Sequence, residues 1–302
     1  MTSNPWVVDS HHHFWDPRTA DYPWMTDDLA PIRRPFGPAD LRPLLRQTGV
    51  ERTVLVQTIS SLDETRQFMA TAASTDFVAG VVGWVDLTDP GLAGTLAALR
   101  AQADGATLVG IRHQVHDEDD PDWLLRDDVN RGLRTIQEAG LAYDILVRSR
   151  ELPAALTVAR DHPEMRLVID HIAKPPIAAG QIEPWGALMD PFAGLPHVFC
   201  KLSGMVTEAS WSSWRPDDLA PYVARVMAIF GEDRVMFGSD WPVCLVAASY
   251  SRVFAALEEV LGDISATTRQ KILGENARAF YRLDAALSGA TDAAHEPTRK
   301  KP

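Results

Sequence analysis

The sequence predicts an α/β chain folded as a (β/α)8 TIM barrel. Eight short β-branched runs recur along it, each bounded by turn residues or by the start of a helical pattern. They are near-continuous apolar stretches, as expected of parallel strands covered on both faces. Helical patterns separate most of them, an alternation that builds a parallel sheet. A doubly wound open sheet is the main rival, but no Gly-x-Gly-x-x-Gly turn follows the first run.

The strand candidates are Trp6–Ser10, Arg52–Gln57, Gly80–Val85, Leu108–Arg112, Ala142–Val147, Arg166–Asp170, Val198–Leu202 and Val235–Phe237. Apolar residues at three-to-four spacing predict helices over Ala39–Thr48, Leu62–Ser74, Leu92–Ala103, Trp123–Ala139 and Glu151–Asp161. Asp217–Phe230, Ser251–Leu261 and Thr267–Tyr281 follow the same rule. Pro-Ala-Asp at 38–40, Asp-Pro at 89–90 and Arg-Pro-Asp-Asp at 215–218 mark helix starts. The weakest connection is Pro175–Pro196, which holds only a poor helix around Pro184–Phe192. Asp16–Pro38 reads as a long Pro-rich loop carrying Trp24, placed where a barrel keeps its active face and suited to act as a lid. Residues 1–286 are expected to form one barrel domain, and Leu287–Pro302 a disordered tail.

Composition narrows the function. The chain has 302 residues, 46% hydrophobic and 23% charged, which is ordinary for a soluble globular protein. No apolar run reaches the roughly 18 residues needed to span a bilayer. No basic segment followed by an apolar core opens the chain, so a cytoplasmic enzyme is expected. A net charge of -12 argues against nucleic acid and anionic membranes as partners. A small-molecule substrate fits, and a homo-oligomer is left open. Cys200 and Cys244 form no disulfide framework and read as small buried hydrophobes.

The chemistry gathers where strands end. Val7-Val8-Asp9-Ser10-His11-His12-His13 runs a short strand into His-x-His. Residues two apart on an extended chain share a face, so His11 and His13 present two imidazoles together while His12 turns away. Such a pair can hold a divalent cation or grip a substrate oxygen. Arg112 and His113 end the fourth run, Asp170 and His171 the sixth, and Lys174 follows. Lys201 lies within the seventh, and Asp240 follows the eighth. Any one of these has a bland alternative: a core histidine, a barrel-bracing ion pair, a helix cap. Their convergence on strand ends is what points to a site. Trp24 and Trp241 offer aromatic faces suited to the apolar side of a sugar ring. His116, His162, His197 and His295 read as surface or loop residues.

Taken together these motifs resemble a family. His-x-His after strand one, a strand-six histidine and a strand-eight aspartate are similar to the amidohydrolase superfamily. Asp9–Trp15, Gly110–His113, Asp170-His171-Ile172-Ala173-Lys174-Pro175, Cys200–Gly204 and Phe237-Gly238-Ser239-Asp240-Trp241-Pro242 resemble its amidohydrolase-2 branch. Within it they look most like sugar lactonases of the L-fuconolactone hydrolase type. The resemblance spans Val7 to Tyr281.

The resemblance implies a lactonase that opens a sugar lactone by water attack on the ring ester. Asp240 would act as general base, with His171, Arg112 and Lys201 stabilising the oxyanion. His113, Lys174, Trp24 and Trp241 would bind substrate. Many superfamily members place a metal-binding Lys or Glu on strand four and a second His on strand five. Here those strands offer Arg112 and Tyr143-Asp144, which argues against a binuclear centre. His11, His13 and Asp240 remain, enough for one divalent ion such as Zn2+ with open positions, or for a metal-free site. A metal-dependent decarboxylase of the same branch is one alternative reading. Lactones such as a pyrone dicarboxylate or a rhamnonolactone are alternative substrates.

Overall fold

Eight parallel strands order consecutively from β1 to β8, each hydrogen-bonded to its sequence neighbour. The computed structural model describes residues 6–284. The strands are β1 (Val8–His12), β2 (Arg52–Val56), β3 (Val78–Gly83), β4 (Leu108–His113), β5 (Ala142–Ile145), β6 (Leu167–Ile169), β7 (Val198–Leu202) and β8 (Val235–Phe237). The expected tail at 287–302 lies outside the described residues.

The sheet closes on itself where β8 returns to β1. Ser10 Oγ donates to Phe237 O at 2.6 Å. Beyond the strand end, Asp240 N donates to His11 O at 2.8 Å and His13 N to Trp241 O at 2.7 Å. This seam lengthens β1 beyond its expected end at Ser10. Its partner loop continues the ladder, so His11 and His12 lie within the strand rather than after it.

Helices cover the sheet between strands: α1 (Pro38–Thr48), α2 (Leu62–Ala73), α3 (Leu92–Arg100), α4 (Asp127–Glu138) and α5 (Leu152–Asp161). After a short α6 (Trp185–Met189) and α7 (Met205–Glu208) come α8 (Pro216–Phe230) and α9 (Tyr250–Leu261). The logic of α4 is typical. Val129, Leu133 and Ile136 recur at helical spacing and are fully buried, each such side chain contributing roughly 1.5–3 kcal/mol on burial. Ser61 caps α2 by accepting from Glu64 N at 3.2 Å, and Ser249 caps α9 through Arg252 N at 3.3 Å.

The expected helix over 267–281 is not continuous. It runs as α10 (Ala266–Gln270), a π-helical turn over Lys271–Glu275, and α11 (Asn276–Tyr281). Ala277, Phe280, Tyr281 and Leu283 pack with Val8, Val54, Val56, Val82, Ala142, Val168 and Met236. These inward strand residues form the barrel floor, and the C-terminal helix plugs it from below. Among the described residues no helix is long and apolar enough to cross a membrane.

Candidate active site

Above that floor the barrel interior turns polar. Arg112 pairs in register with Asp144, and Asp144 with Val168. Lys201 Nζ lies 2.5 Å from Asp144 Oδ2, 3.0 Å from Asp170 Oδ1 and 3.2 Å from His11 Nδ1. Tyr281 on the plugging helix donates to Asp144 Oδ2 at 2.7 Å. Arg112 Nη1 donates to Asp170 Oδ2 at 3.1 Å, and Nη2 to Gln57 Oε1 at 3.0 Å. All these groups are buried, where an unpaired charge would be costly, so each cation has a carboxylate. Burial works to raise the Asp170 pKa, but Lys201 and Arg112 beside it hold it below the usual carboxylate range.

On this layer stand the imidazoles and Asp240. His13 Nδ1–H donates to Val56 O at 2.8 Å, which leaves the Nε2 lone pair facing inward. His13 Nε2 sits 3.2 Å from His11 Nε2 and 3.3 Å from Asp240 Oδ1. His11 Nε2 and His171 Nε2 lie 3.9 Å and 3.8 Å from the same oxygen. Burial depresses all three histidines, His11 and His171 well below the ordinary value, so the rings are neutral near pH 7. His12 turns to the other side and bonds Thr53 Oγ1 at 2.8 Å.

The backbone is bent to present these groups. His171, Ile172, Ala173 and Lys174 all adopt positive φ, between 48° and 58°, and Asp240 sits at 56°. Non-glycine residues rarely adopt this region, and a run of four including a β-branched residue persists only where surroundings hold it. Trp185 Nε1 donates to Ile172 O at 2.7 Å, and His171 Nδ1 meets Ser203 Oγ at 2.9 Å. Gly204, at φ 63°, lets its loop pass so close that a Cβ there would lie 2.5 Å from His171 Nδ1. Beneath the Asp240 loop, Asp9 accepts from Ser239 N at 2.8 Å and from Tyr250 OH at 3.1 Å.

A cavity opens over this cluster, with about 480 Å³ of space counting its open mouth. His13, Arg112, His171 and Asp240 line its floor side, with Trp24, Thr58, Gln114, His116, Lys174, Leu146 and Val243 around them. The long loop after β1 thus brings Trp24 to the cavity. It is anchored by Trp15, whose ring meets Trp24 at 5.3 Å and Phe36 at 5.6 Å.

Three sequence-derived candidates do not line the cavity. Lys201 is fully buried and paired with two carboxylates. His113 is stacked on Trp123 at 4.2 Å and bonded to Trp84 and Glu118. Trp241 is buried against Phe14 and Phe36. His116 departs in the other direction. Read as a surface residue, it lines the cavity, as do Thr58 and Gln114. The rule that strand-end loops carry the site could have found all three, because they follow β2 and β4 directly. His162 is also buried, bonded to Asn130, while His197 is half-buried and bonded to Ala159 O. His295 lies outside the described residues. Cys200 and Cys244 are buried and free, as expected.

The sequence profile of the amidohydrolase family matches residues 8–283. The chain belongs to the amidohydrolase family. An L-fucono-1,5-lactonase from Burkholderia ambifaria is 41% identical over 286 residues, covering 92% of this chain and 96% of the relative. One from Burkholderia multivorans is 38% identical, covering 91% and 96%. A crystal structure of an amidohydrolase from Burkholderia multivorans with bound zinc superposes with a TM-score of 0.85 at 37% identity, covering 92% of this chain and 99% of that one.

Amidohydrolases commonly carry metal, and the donors of this amidohydrolase fit one ion. His11, His13 and Asp240 offer two imidazole nitrogens and a carboxylate oxygen within 4.8 Å of one another, and the His13 tautomer is already fixed with its lone pair inward. One neighbour contends for the same position. Arg112 Nη1 lies 3.1 Å from His11 Nε2 and can donate to the lone pair a metal would use. A second set, His11, Asp170 and His171, also converges, but its carboxylate already serves Lys201 and Arg112.

Proposed function

We propose that this amidohydrolase opens sugar lactones, hydrolysing the ring ester of an aldonolactone of the L-fuconolactone kind. The observation that carries the reading is the convergence of the Asp240 carboxylate, the neutral imidazoles of His13 and His171 and the Arg112 guanidinium on one cavity, with His11 directly behind them. The 38–41% identity to lactonases over nearly the whole chain supports the substrate class.

Lactone hydrolysis needs an activated water, stabilisation of the carbonyl oxygen and a proton for the departing ring oxygen. Asp240 Oδ1 takes a proton from water as the water oxygen bonds to the carbonyl carbon. His13, its Nε2 lone pair held inward by Val56, accepts a hydrogen bond from that water and orients it. His171 donates from Nε2–H to the forming oxyanion when Ser203 supplies the hydrogen to Nδ1. Arg112 contributes positive potential rather than a free Nη–H, since Nη1 serves Asp170 and faces His11 Nε2 while Nη2 serves both the main-chain and side-chain oxygens of Gln57. As the carbonyl re-forms, the ring C–O bond breaks and Asp240 passes its proton to the leaving alkoxide. The product is the open hydroxy acid. A divalent ion held by His11, His13 and Asp240, zinc being our choice, would add Lewis-acid polarisation of the carbonyl and acidify the water.

Screening aldonolactones with a pH indicator tests the reading, beside Asp240→Asn. The parent is expected to open at least one aldonolactone, and the variant to fall about 1000-fold or more in kcat. Variant activity within a few-fold of the parent would remove Asp240 from the chemistry.

A further inference from the structure

The proposed hydrolysis leaves the wholly buried carboxylate of Asp9, two residues before His11, without a role. A carboxylate is costly to bury unless its oxygens are hydrogen-bonded, and here the bonds are divided between them. Oδ1 accepts from His11 N at 3.1 Å and from Ser239 N at 2.8 Å. Oδ2 accepts at 3.1 Å from the hydroxyl of Tyr250, the first residue of α9. One oxygen thus ties the strand that carries the imidazoles to the loop that carries Asp240. The other is tied to the helix layer outside.

What this bridge holds is a strained residue. Asp240 keeps a φ of 56°, in a region that non-glycine residues hold only where neighbours enforce it. Its main chain is fixed on both sides. Asp240 N donates to His11 O at 2.8 Å, and Asp240 O accepts from Cys244 N at 2.9 Å. Trp241 N donates to Ser239 Oγ at 3.0 Å. The seam has little slack, since a Cβ on Gly238 would lie 2.7 Å from His11 Cβ. Among these ties only that of Asp9 uses a carboxylate, whose bonds to N–H groups are roughly twice as strong as neutral ones.

We propose that Asp9 is a positioning residue for the base. By holding Ser239 N and His11 N on one oxygen, with Tyr250 clamping the other, it keeps Asp240 Oδ1 beside His13 Nε2. Asp9 does not line the cavity and acts only through Asp240. The inference rests on the lactonase reading, in which Asp240 is the base, and adds what sets that base in place.

The test measures kcat and KM for an aldonolactone on Asp9→Ala, Asp9→Asn and Tyr250→Phe, each alone and combined with Asp240→Asn. Asp9→Ala is expected to lower kcat about 100-fold with KM within about two-fold of the parent, and Tyr250→Phe to lower kcat about five- to ten-fold. Asp9→Asn keeps Oδ1 for both N–H groups, and Tyr250 OH can accept from its Nδ2, so kcat should stay within about five-fold. In the Asp240→Asn background Asp9→Ala should cost at most about three-fold, because the group it positions is gone. Losses that multiply with Asp240→Asn, or that fall on KM instead of kcat, would overturn the inference and leave the lactonase reading intact. Crystal structures of the parent and Asp9→Ala give a readout without substrate: Asp240 should leave its left-handed φ and its carboxylate shift by about 1 Å or more from His13. A parent that opens no aldonolactone would overturn the lactonase reading, and an unmoved Asp240 would overturn the positioning role. If Asp9→Ala fails to fold, Tyr250→Phe, which keeps the ring and loses one hydroxyl, is put through the same measurements and decides.

Discussion

His13 Nε2 and Asp240 Oδ1 lie 3.3 Å apart although 227 positions separate them in the chain. Barrel closure makes the contact, since the two main-chain bonds that join β1 to the β8 loop come from Asp240 N and His13 N. On the proposed mechanism, base and water-orienting imidazole therefore act as one unit. Asp240→Asn and His13→Asn should each lower kcat by about 1000-fold, and the double variant by little more than either. Single-turnover kinetics on the four proteins would check this. Losses that multiply would mean the two side chains act independently.

Lys201 holds two buried carboxylates in place, and removing its charge leaves Asp144 without a cation while Asp170 keeps only Arg112. Lys201→Met should cost about 3–5 kcal/mol, and adding Asp144→Asn should restore part of it. Thermal melts of the parent, single and double variants decide the point. A single variant that melts with the parent would show that water or a rearranged partner already screens these charges.

His116 gives a pH dependence with a definite sign. Burial lowers its pKa from 6.5 to about 3 in the fold. The unfolded chain therefore takes up a proton first as the pH drops, and stability present above pH 6.5 is lost progressively down to about pH 3. At pH 5 the loss amounts to about 2 kcal/mol. Denaturant titrations at pH 5 and pH 8 should show the parent losing more stability than His116→Asn by roughly that amount. Equal losses would place a protonated His116 in the folded state.

Arg112 would compete with a metal for His11 Nε2. Arg112→Met should accordingly bind Zn2+ more tightly, by about ten-fold or more, while lactone opening falls. Calorimetric zinc titration of chelator-stripped parent and variant measures it. A variant whose zinc affinity stays level or drops would show that the guanidinium does not contend for the metal position.

The strand count was legible because strands covered on both sides leave continuous apolar runs such as Val235–Phe237, which the structure reproduces residue for residue. His11, His13, His171 and Asp240 were legible as reactive residues at strand ends, and the fold brings them together. Depth was not legible. By register Lys201 stands level with Asp170, one residue before His171, and that step of about 3 Å along the strand turns a candidate donor into a buried brace. Loop orientation was equally hidden. Nothing in the periodicity says that His113 stacks on Trp123 while His116, three residues later, lines the cavity. The break of the last helix into a π-turn follows from close packing: a Cβ on Gly274 would fall 1.8 Å from Trp6 O, a neighbour that no local pattern reveals.

The seam between β1 and β8 also orders events in time. A nascent chain carries both imidazoles from the outset but receives their carboxylate partner only when residue 240 emerges. On the proposed mechanism, hydrolysis should begin only once the last strand zips against the first, however much of the intervening structure has formed. Catalysis in this protein thus doubles as a report that the cylinder has shut, and truncation at either end should silence it before it unfolds the middle.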